Sequence, residues 1–352
     1  MTLPSTLPLV TDASPVRVPA ALSALEAYAT PRALVDLLGD EAGAVPPRVW
    51  RTAFHEPAAT FLAEPGKGFR SALVALGWEA GGGTAGACPE ALSVVLEWLH
   101  AGSLIIDDIE DGSRTRRGRP ALHVSHGLPI ALNTGNTLYF QAQLLLEHAP
   151  LPIDVRGALQ SELVSTMVRC HHGQALDLAA TVEMLSQHEL PGVVRATTAL
   201  KTGALARLAA FFGARAAGAT PQRLEAVARF GHELGVALQM LDDLGSLLSP
   251  RRRDKAVEDL VGGHPTWVWA WLAETVDPFT FARLLAELRA VRAGGDVAPL
   301  LGALDERVAA IGRAKVDEQC ERMFRPLGRE FGDSPFVEAA QAAVDRLRSS
   351  YV

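Results

Sequence analysis

The chain has 352 residues, 48% of them apolar and 21% charged, with a formal charge of −7. That balance belongs to a globular protein with a large core, and the mild acidity excludes a protein built to coat nucleic acid. Three scattered cysteines, Cys88, Cys170 and Cys320, support neither a disulfide framework nor a zinc site, and read as buried thiols of a reducing compartment.

Residues 1–19 hold four prolines and little periodicity, and read as a mobile tail. Their first ten residues lack a basic start and a long apolar core, so no signal peptide is expected. From 20 to 352 the chain reads as a single all-helical domain of about a dozen helices. Apolar residues recur at steps of three and four over 49–62, 91–106, 130–146, 155–178, 193–212 and 224–248. Runs of alternating β-branched and aromatic residues are nearly absent, so strands are not expected. The most apolar segment, 91–106, is broken by Glu97 and His100 and is shorter than the roughly 20 apolar residues of a membrane span. A cytoplasmic protein without membrane insertion is expected.

The segment 104–111 reads Leu-Ile-Ile-Asp-Asp-Ile-Glu-Asp: an apolar helix running into four acids. At helical spacing Asp107 and Asp111 lie one turn apart on one face, with Asp108 beside them. Carboxylates one turn apart repel, and they oppose the macrodipole at a helix C-terminus. A divalent cation relieves both costs, and oxygen-only ligands point to magnesium shared with substrate phosphates. A second apolar helix ends in Asp242 and Asp243, with Gln239 one turn before Asp243. Two such helices in one domain suggest a shared site for metal and polyphosphate. Lys67 and Arg70, Arg116 and Arg117, Lys201 and Lys255 are the cations able to complement it. His100 lies seven residues before Asp107 and so shares its stripe. His171 and His172 have no metal-ligand spacing and read as structural.

These residues resemble the trans-isoprenyl diphosphate synthases, and within them the eukaryotic-type geranylgeranyl diphosphate synthases. The likeness runs from about residue 61 to about 271. It rests on GKGFR, on LHAGSLIIDDIED followed by RRGRPALH, on GQALD at 173–177, on KTG at 201–203 and on QMLDD at 239–243. The resemblance implies the isoprenoid synthase fold, a helical bundle around a deep apolar cavity, normally a homodimer. It implies condensation of isopentenyl diphosphate with an allylic diphosphate, with Mg2+ held by Asp107, Asp108, Asp111, Asp242 and Asp243. Arg116, Lys201 and Lys255 would bind the allylic diphosphate, and Lys67, Arg70, His100 and Arg117 the isopentenyl diphosphate. Gln239 and Gln174 would lie near the reacting centre, with Asp177 supporting the region of Gln174. The small residues Gly102 and Ser103 before the first acids would let a twenty-carbon chain pass, with Leu99, alone or joined by Tyr139 or Phe140, as its floor.

The chain departs from that pattern twice. Ser246 stands where the second acidic motif usually carries its last acid, and His264 stands where a second lysine follows Lys255. The run Arg251–Arg253 is a candidate to replace that charge, or else a solvated turn. A terpene cyclase on the same fold and a non-catalytic modulatory subunit are rival readings. A cyclase does not need Lys67, Arg70, His100 and Arg117, and a modulatory chain does not need its first acidic motif.

Overall fold

The computed structural model describes residues 20–63 and 68–349. The expected tail, 1–19, lies outside the described residues, as does Lys67. The described residues form helices with one two-stranded hairpin. Four short helices come first: α1 (Ala20–Tyr28), α2 (Pro31–Leu38), α3 (Pro47–Trp50) and α4 (Glu56–Leu62). Then come α5 (Phe69–Ala80), α6 (Glu90–Glu110), α7 (Leu122–His126), α8 (Leu128–Glu147) and α9 (Ile153–Ala179). The middle holds α10 (Leu190–Thr198), α11 (Ala204–Ala216) and α12 (Pro221–Leu248). The rest is α13 (Arg253–Gly262), α14 (Trp267–Thr275), α15 (Pro278–Arg292), α16 (Ala298–Phe331) and α17 (Pro335–Ser349). The helices outnumber the dozen expected because short turns of helix form between the Gly/Pro breaks, and because 193–212 is divided.

Local chemistry starts several of these helices. Thr30, Thr220 and Asp277 each accept a hydrogen bond from a backbone N–H of the first turn, and each is followed by proline. Proline at that position gives up an N–H that has no helical partner there. α12 is buried on most of its circumference and packs between α11 and α16. α11 also packs on α5, and a Cβ on Gly213 would fall 1.9 Å from the Val74 carbonyl oxygen. Glycine is therefore required for this backbone-to-backbone contact. α6 packs along α8 and is tied to α1 by Trp98, whose buried indole donates to Ala21 O at 2.9 Å.

The hairpin, β1 (Thr115–Arg116) and β2 (Arg119–Pro120), departs from the strand-free expectation. Its turn residues Arg117 and Gly118 both have positive φ, +53° and +78°. That is the signature of the tight turn whose twist suits paired strands. Among the described residues, no helix is long and apolar enough to cross a membrane.

Candidate active site

α6 and α12 each end in an acidic motif, and Asp177 of α9 interacts electrostatically both with Asp111 of the first and with Asp259, which faces Asp242 of the second. Asp107 is 20% exposed on its side chain and Asp108 only 1%. Residues one apart differ by about 100° around a helix, so adjacent acids face different neighbours. Asp108 is turned to Arg116, whose Nε donates to both carboxylate oxygens at 2.9 and 3.1 Å. Asp111 closes α6 as its last half-helical residue, before Gly112 at φ +65°. Burial raises the Asp107 carboxyl, against the pull of Lys201. Burial and the charge of Asp107 push Asp111 up to about 6.

On α12 the pair divides in the same way. Asp242 is 26% exposed on its side chain, and its carboxylate receives Lys255 on one oxygen and Arg252 on the other. Burial alone would raise its carboxyl, but these two cations hold it below the usual range. Asp243 is buried. Its Oδ2 accepts the backbone N–H of Trp267 at 2.8 Å, and its Oδ1 accepts from Gln239 Nε2 at 2.9 Å. Burial pushes it up to about 7. Asp108 and Asp243 are thus committed to protein partners. Of the five expected metal ligands, Asp107, Asp111 and Asp242 keep the more open side chains.

Gln239 is engaged at both ends of its amide, because its carbonyl also accepts from the Thr202 hydroxyl at 3.2 Å. The chain Thr202–Gln239–Asp243–Trp267 locks the end of α12 to the start of α14. Ser246 is buried, and its hydroxyl donates to Asp242 O at 2.8 Å. The missing acid would have faced the bundle interior. His264 donates its backbone N–H to Asp259 O at 2.9 Å, and its ring is close enough to Asp111 to interact electrostatically.

Lys201 sits beside the first motif in a wider, π-helical turn, Ala199–Gly203, that joins α10 to α11. Such turns cost regular hydrogen bonding and re-aim a side chain. Its Nζ lies 2.9 Å from Asp177 Oδ2 and 3.3 Å from Asp107 Oδ1. Asp177 therefore orients Lys201, which corrects its expected link to Gln174. Gln174 instead donates to Glu110 at 2.8 Å. α9 approaches closely here, since a Cβ on Gly173 would lie 2.8 Å from the Lys201 backbone nitrogen.

A second cluster lies around His100. Burial, then the charges of Arg70, Arg117 and Arg116, hold its imidazole well below its ordinary range. His100 Nδ1 is buried with no hydrogen-bond partner. A cavity of about 130 Å³, lined by Phe61, Arg119, Leu122 and Ser125, shares Arg116 and Arg117 with this cluster. An orphaned ring nitrogen among guanidinium groups suits an anion that accepts several hydrogen bonds.

The chain-length residues fall differently from expectation. Leu99 is buried, and Ser103 donates its hydroxyl to His100 O at 2.8 Å. Gly102 does not open a passage. A Cβ there would lie 2.8 Å from Gly135 O and 3.2 Å from the Tyr139 ring, so its smallness serves the crossing of α6 and α8. Tyr139 is buried at this level, edge-on to His171 of α9 with ring centroids 5.6 Å apart. Phe140 is 70% exposed and points outward.

The donors fit magnesium. Among the described residues no group of three or more His, Cys, Asp or Glu forms a cage for a metal. Magnesium asks for one or two carboxylates and completes its shell with water and substrate phosphate. The carboxyls of Asp107 and Asp111, one turn apart and both raised, are groups that a bound cation would relieve. Sequence reasoning singled out neither Arg252 within its run nor the Trp267 N–H. For Arg252 the signal is the Ser-Pro turn just before it, which folds the run back toward Asp242.

Comparison with known proteins bears on this geometry. A family model described as polyprenyl synthetase matches residues 51–292. The geranylgeranyl pyrophosphate synthase of Eremothecium gossypii is 30% identical over 265 residues, covering 70% of this chain and 79% of that protein. A short chain isoprenyl diphosphate synthase of Methanothermobacter thermautotrophicus is 33% identical over 186 residues, 52% of this chain and 55% of the relative. Among solved structures, the geranylgeranyl pyrophosphate synthetase of Pyrococcus horikoshii superposes with a TM-score of 0.71 at 22% identity. That match covers 94% of this chain and 98% of the other, and shows the shared all-helical fold. With its acidic motifs and its basic cluster inside the matched span, the chain belongs to the polyprenyl synthetase family.

Proposed function

We propose that this chain is a magnesium-dependent prenyltransferase that joins isopentenyl diphosphate head-to-tail to an allylic diphosphate, ending at geranylgeranyl diphosphate. The observation that carries the reading is the presence of two separate anion sites. One lies among Asp107, Asp111, Lys201, Asp242 and Lys255. The other lies around His100, Arg70 and Arg117.

Asp107, Asp111 and Asp242 would hold the metal, which when bound supplies positive charge to the departing diphosphate. Lys201 and Lys255 bind the same diphosphate and stabilise the charge that develops as the allylic C–O bond breaks. The allylic carbon becomes cationic, and the terminal double bond of isopentenyl diphosphate attacks it. The proton then lost from the adjacent carbon is taken by the pyrophosphate, so no side-chain base is required. Arg70, Arg117 and His100 orient the isopentenyl diphosphate, with His100 Nδ1 offered to a phosphate oxygen. The apolar faces of the surrounding helices keep water from the cation.

Product length follows from the wall below the allylic site. Ser103 leaves room for the growing chain, and Tyr139, packed against Gly102, is its floor in place of Leu99. The protein works as a homodimer, with Leu128, Leu132 and Phe140 on α8 and Val164 and Val168 on α9 covered by the second copy. All five are exposed apolar side chains on these two adjacent helices. The test is turnover of purified protein with isopentenyl diphosphate and each of dimethylallyl, geranyl and farnesyl diphosphate, with and without excess EDTA. A twenty-carbon diphosphate formed only with magnesium is expected. Cyclised hydrocarbon formed without isopentenyl diphosphate would overturn the reading.

A further inference from the structure

The turn after α12 carries three consecutive arginines, and the structure treats them differently. Arg251 and Arg253 are exposed, while Arg252 is drawn inward. Arg252 N–H bonds to Ser249 O at 3.0 Å, closing a short 3-10 turn over Pro250–Arg252. That turn aims the guanidinium at Asp242, where it pairs with Oδ1 while Lys255 pairs with Oδ2. One carboxylate thus faces two cations, and their combined charge is positive. The arrangement stands at one of the two acidic helix ends, and both cations keep exposed surface, with side chains 28% and 42% accessible.

Two cations on one carboxylate are more than its charge requires. When Asp242 turns to a metal, each of the two cations has charge to share with a second anion. An arginine fork suits a phosphate better than an ammonium does, because it offers two parallel N–H groups. Position 264, across the site near Asp111, carries a histidine rather than a permanent cation.

We propose that Arg252 is a ligand of the allylic diphosphate, carrying on the α12–α13 turn the positive charge that position 264 lacks. The assignment rests on the prenyltransferase reading above. It makes Arg252 a substrate-binding residue and leaves Arg251 and Arg253 as solvated charges.

The experiment measures the binding of geranyl S-thiolodiphosphate, an allylic analogue that does not ionise readily, by calorimetry in magnesium. Wild type is compared with Arg251→Met, Arg252→Met, Arg253→Met and the double variant Arg252→Met/His264→Lys, each checked for native helicity. KM for isopentenyl diphosphate is measured alongside. Losing a charge-assisted bidentate contact should weaken the analogue roughly ten- to a hundredfold in Arg252→Met alone. KM for isopentenyl diphosphate should stay within about twofold, and the lysine at 264 should recover most of the loss. Unchanged binding in Arg252→Met overturns the proposal. So does an equal loss in all three single variants, which would be an effect of net charge. If folded wild type binds no allylic analogue, the prenyltransferase reading itself falls, and this assignment with it.

Discussion

The ammonium of Lys201 lies 3.3 Å from Asp107 and 2.9 Å from Asp177, so one cation joins the first acidic helix to the end of α9. Burial would lower this lysine's affinity for its proton, but the two carboxylates outweigh it and keep the group charged. A charge held this firmly is ready for the diphosphate without reorganisation. Lys201→Met should lower kcat by roughly 10²–10³, the cost of removing one preorganised group that meets developing charge. Asp177→Asn should have a smaller effect in the same direction, because it frees Lys201 without removing it. Equal kcat in Lys201→Met and wild type would exclude this role.

The pH behaviour of the metal-free protein follows from its raised carboxyls. Asp111 and Asp259 are pushed up to about 6 and Asp243 to about 7, each chiefly by burial. Between about pH 4 and 7 the folded chain therefore holds protons that the unfolded chain has released. Stability must fall as pH rises through that window, by at most about 1.4 kcal/mol per pH unit for each proton. His100, held low, contributes one opposing proton below its ordinary range. Asp243→Asn should flatten the curve, so the difference in Tm between pH 5.5 and pH 7.5 shrinks relative to wild type. A steeper dependence in the variant would show that Asp243 is ionised across the range.

Magnesium affinity should move the opposite way. The metal needs Asp107 and Asp111 ionised, and a proton on Asp111 competes with it. Affinity, read from the metal concentration giving half-maximal turnover, should weaken by up to about tenfold per pH unit below pH 6. Asp111→Asn should abolish most of this dependence along with most of the activity. A constant half-maximal concentration from pH 5 to pH 7 would rule out Asp111 as a metal ligand.

The exposed apolar side chains of α8 and α9 predict that assembly and folding can be separated. Phe140 is 70% exposed and buries little in the monomer. Phe140→Asp should leave helicity intact while shifting the sedimentation coefficient from dimer to monomer at micromolar concentration. A wild-type protein that sediments as a monomer would contradict the assembly outright.

Much of this molecule is legible in its sequence where one physical rule dominates. The apolar period predicts helices over 130–146 and 155–178, and α8 and α9 extend those spans by at most two residues at each end. The same period sets Asp107 and Asp111 one turn apart on one face and turns the adjacent Asp108 about 100° away from Asp107. Other features depend on contacts that no local pattern encodes. Asp243 reads as the twin of Asp242 until Trp267, 24 residues later, brings its N–H within 2.8 Å. Gly102 reads as open space until Gly135 of α8 occupies it. The π-helical turn at Lys201 carries no composition of its own, and the two-residue strands beside Arg117 are too short for any alternation to show.

Product length tests the position of the floor. The ring of Tyr139 lies where a Cβ on Gly102 would touch it at 3.2 Å, about one and a half helical turns, ~7.5 Å, below Asp107 on α6. A chain growing down α6 from the allylic site meets Ser103 first and that ring next. Ser103→Phe fills the first step and should shift the product toward fifteen carbons. Tyr139→Ala removes the ring and should extend the product beyond twenty. It should also lower Tm, because a large buried side chain is lost at a cost of about 3–5 kcal/mol. Leu99→Ala separates the two candidate floors. It should leave the product at twenty carbons if Tyr139 stops the chain, and it should be the variant that lengthens the product if Leu99 does. Chromatography of the dephosphorylated alcohols from the three variants reads the answer directly, and a twenty-carbon product from Tyr139→Ala would remove this residue from the floor.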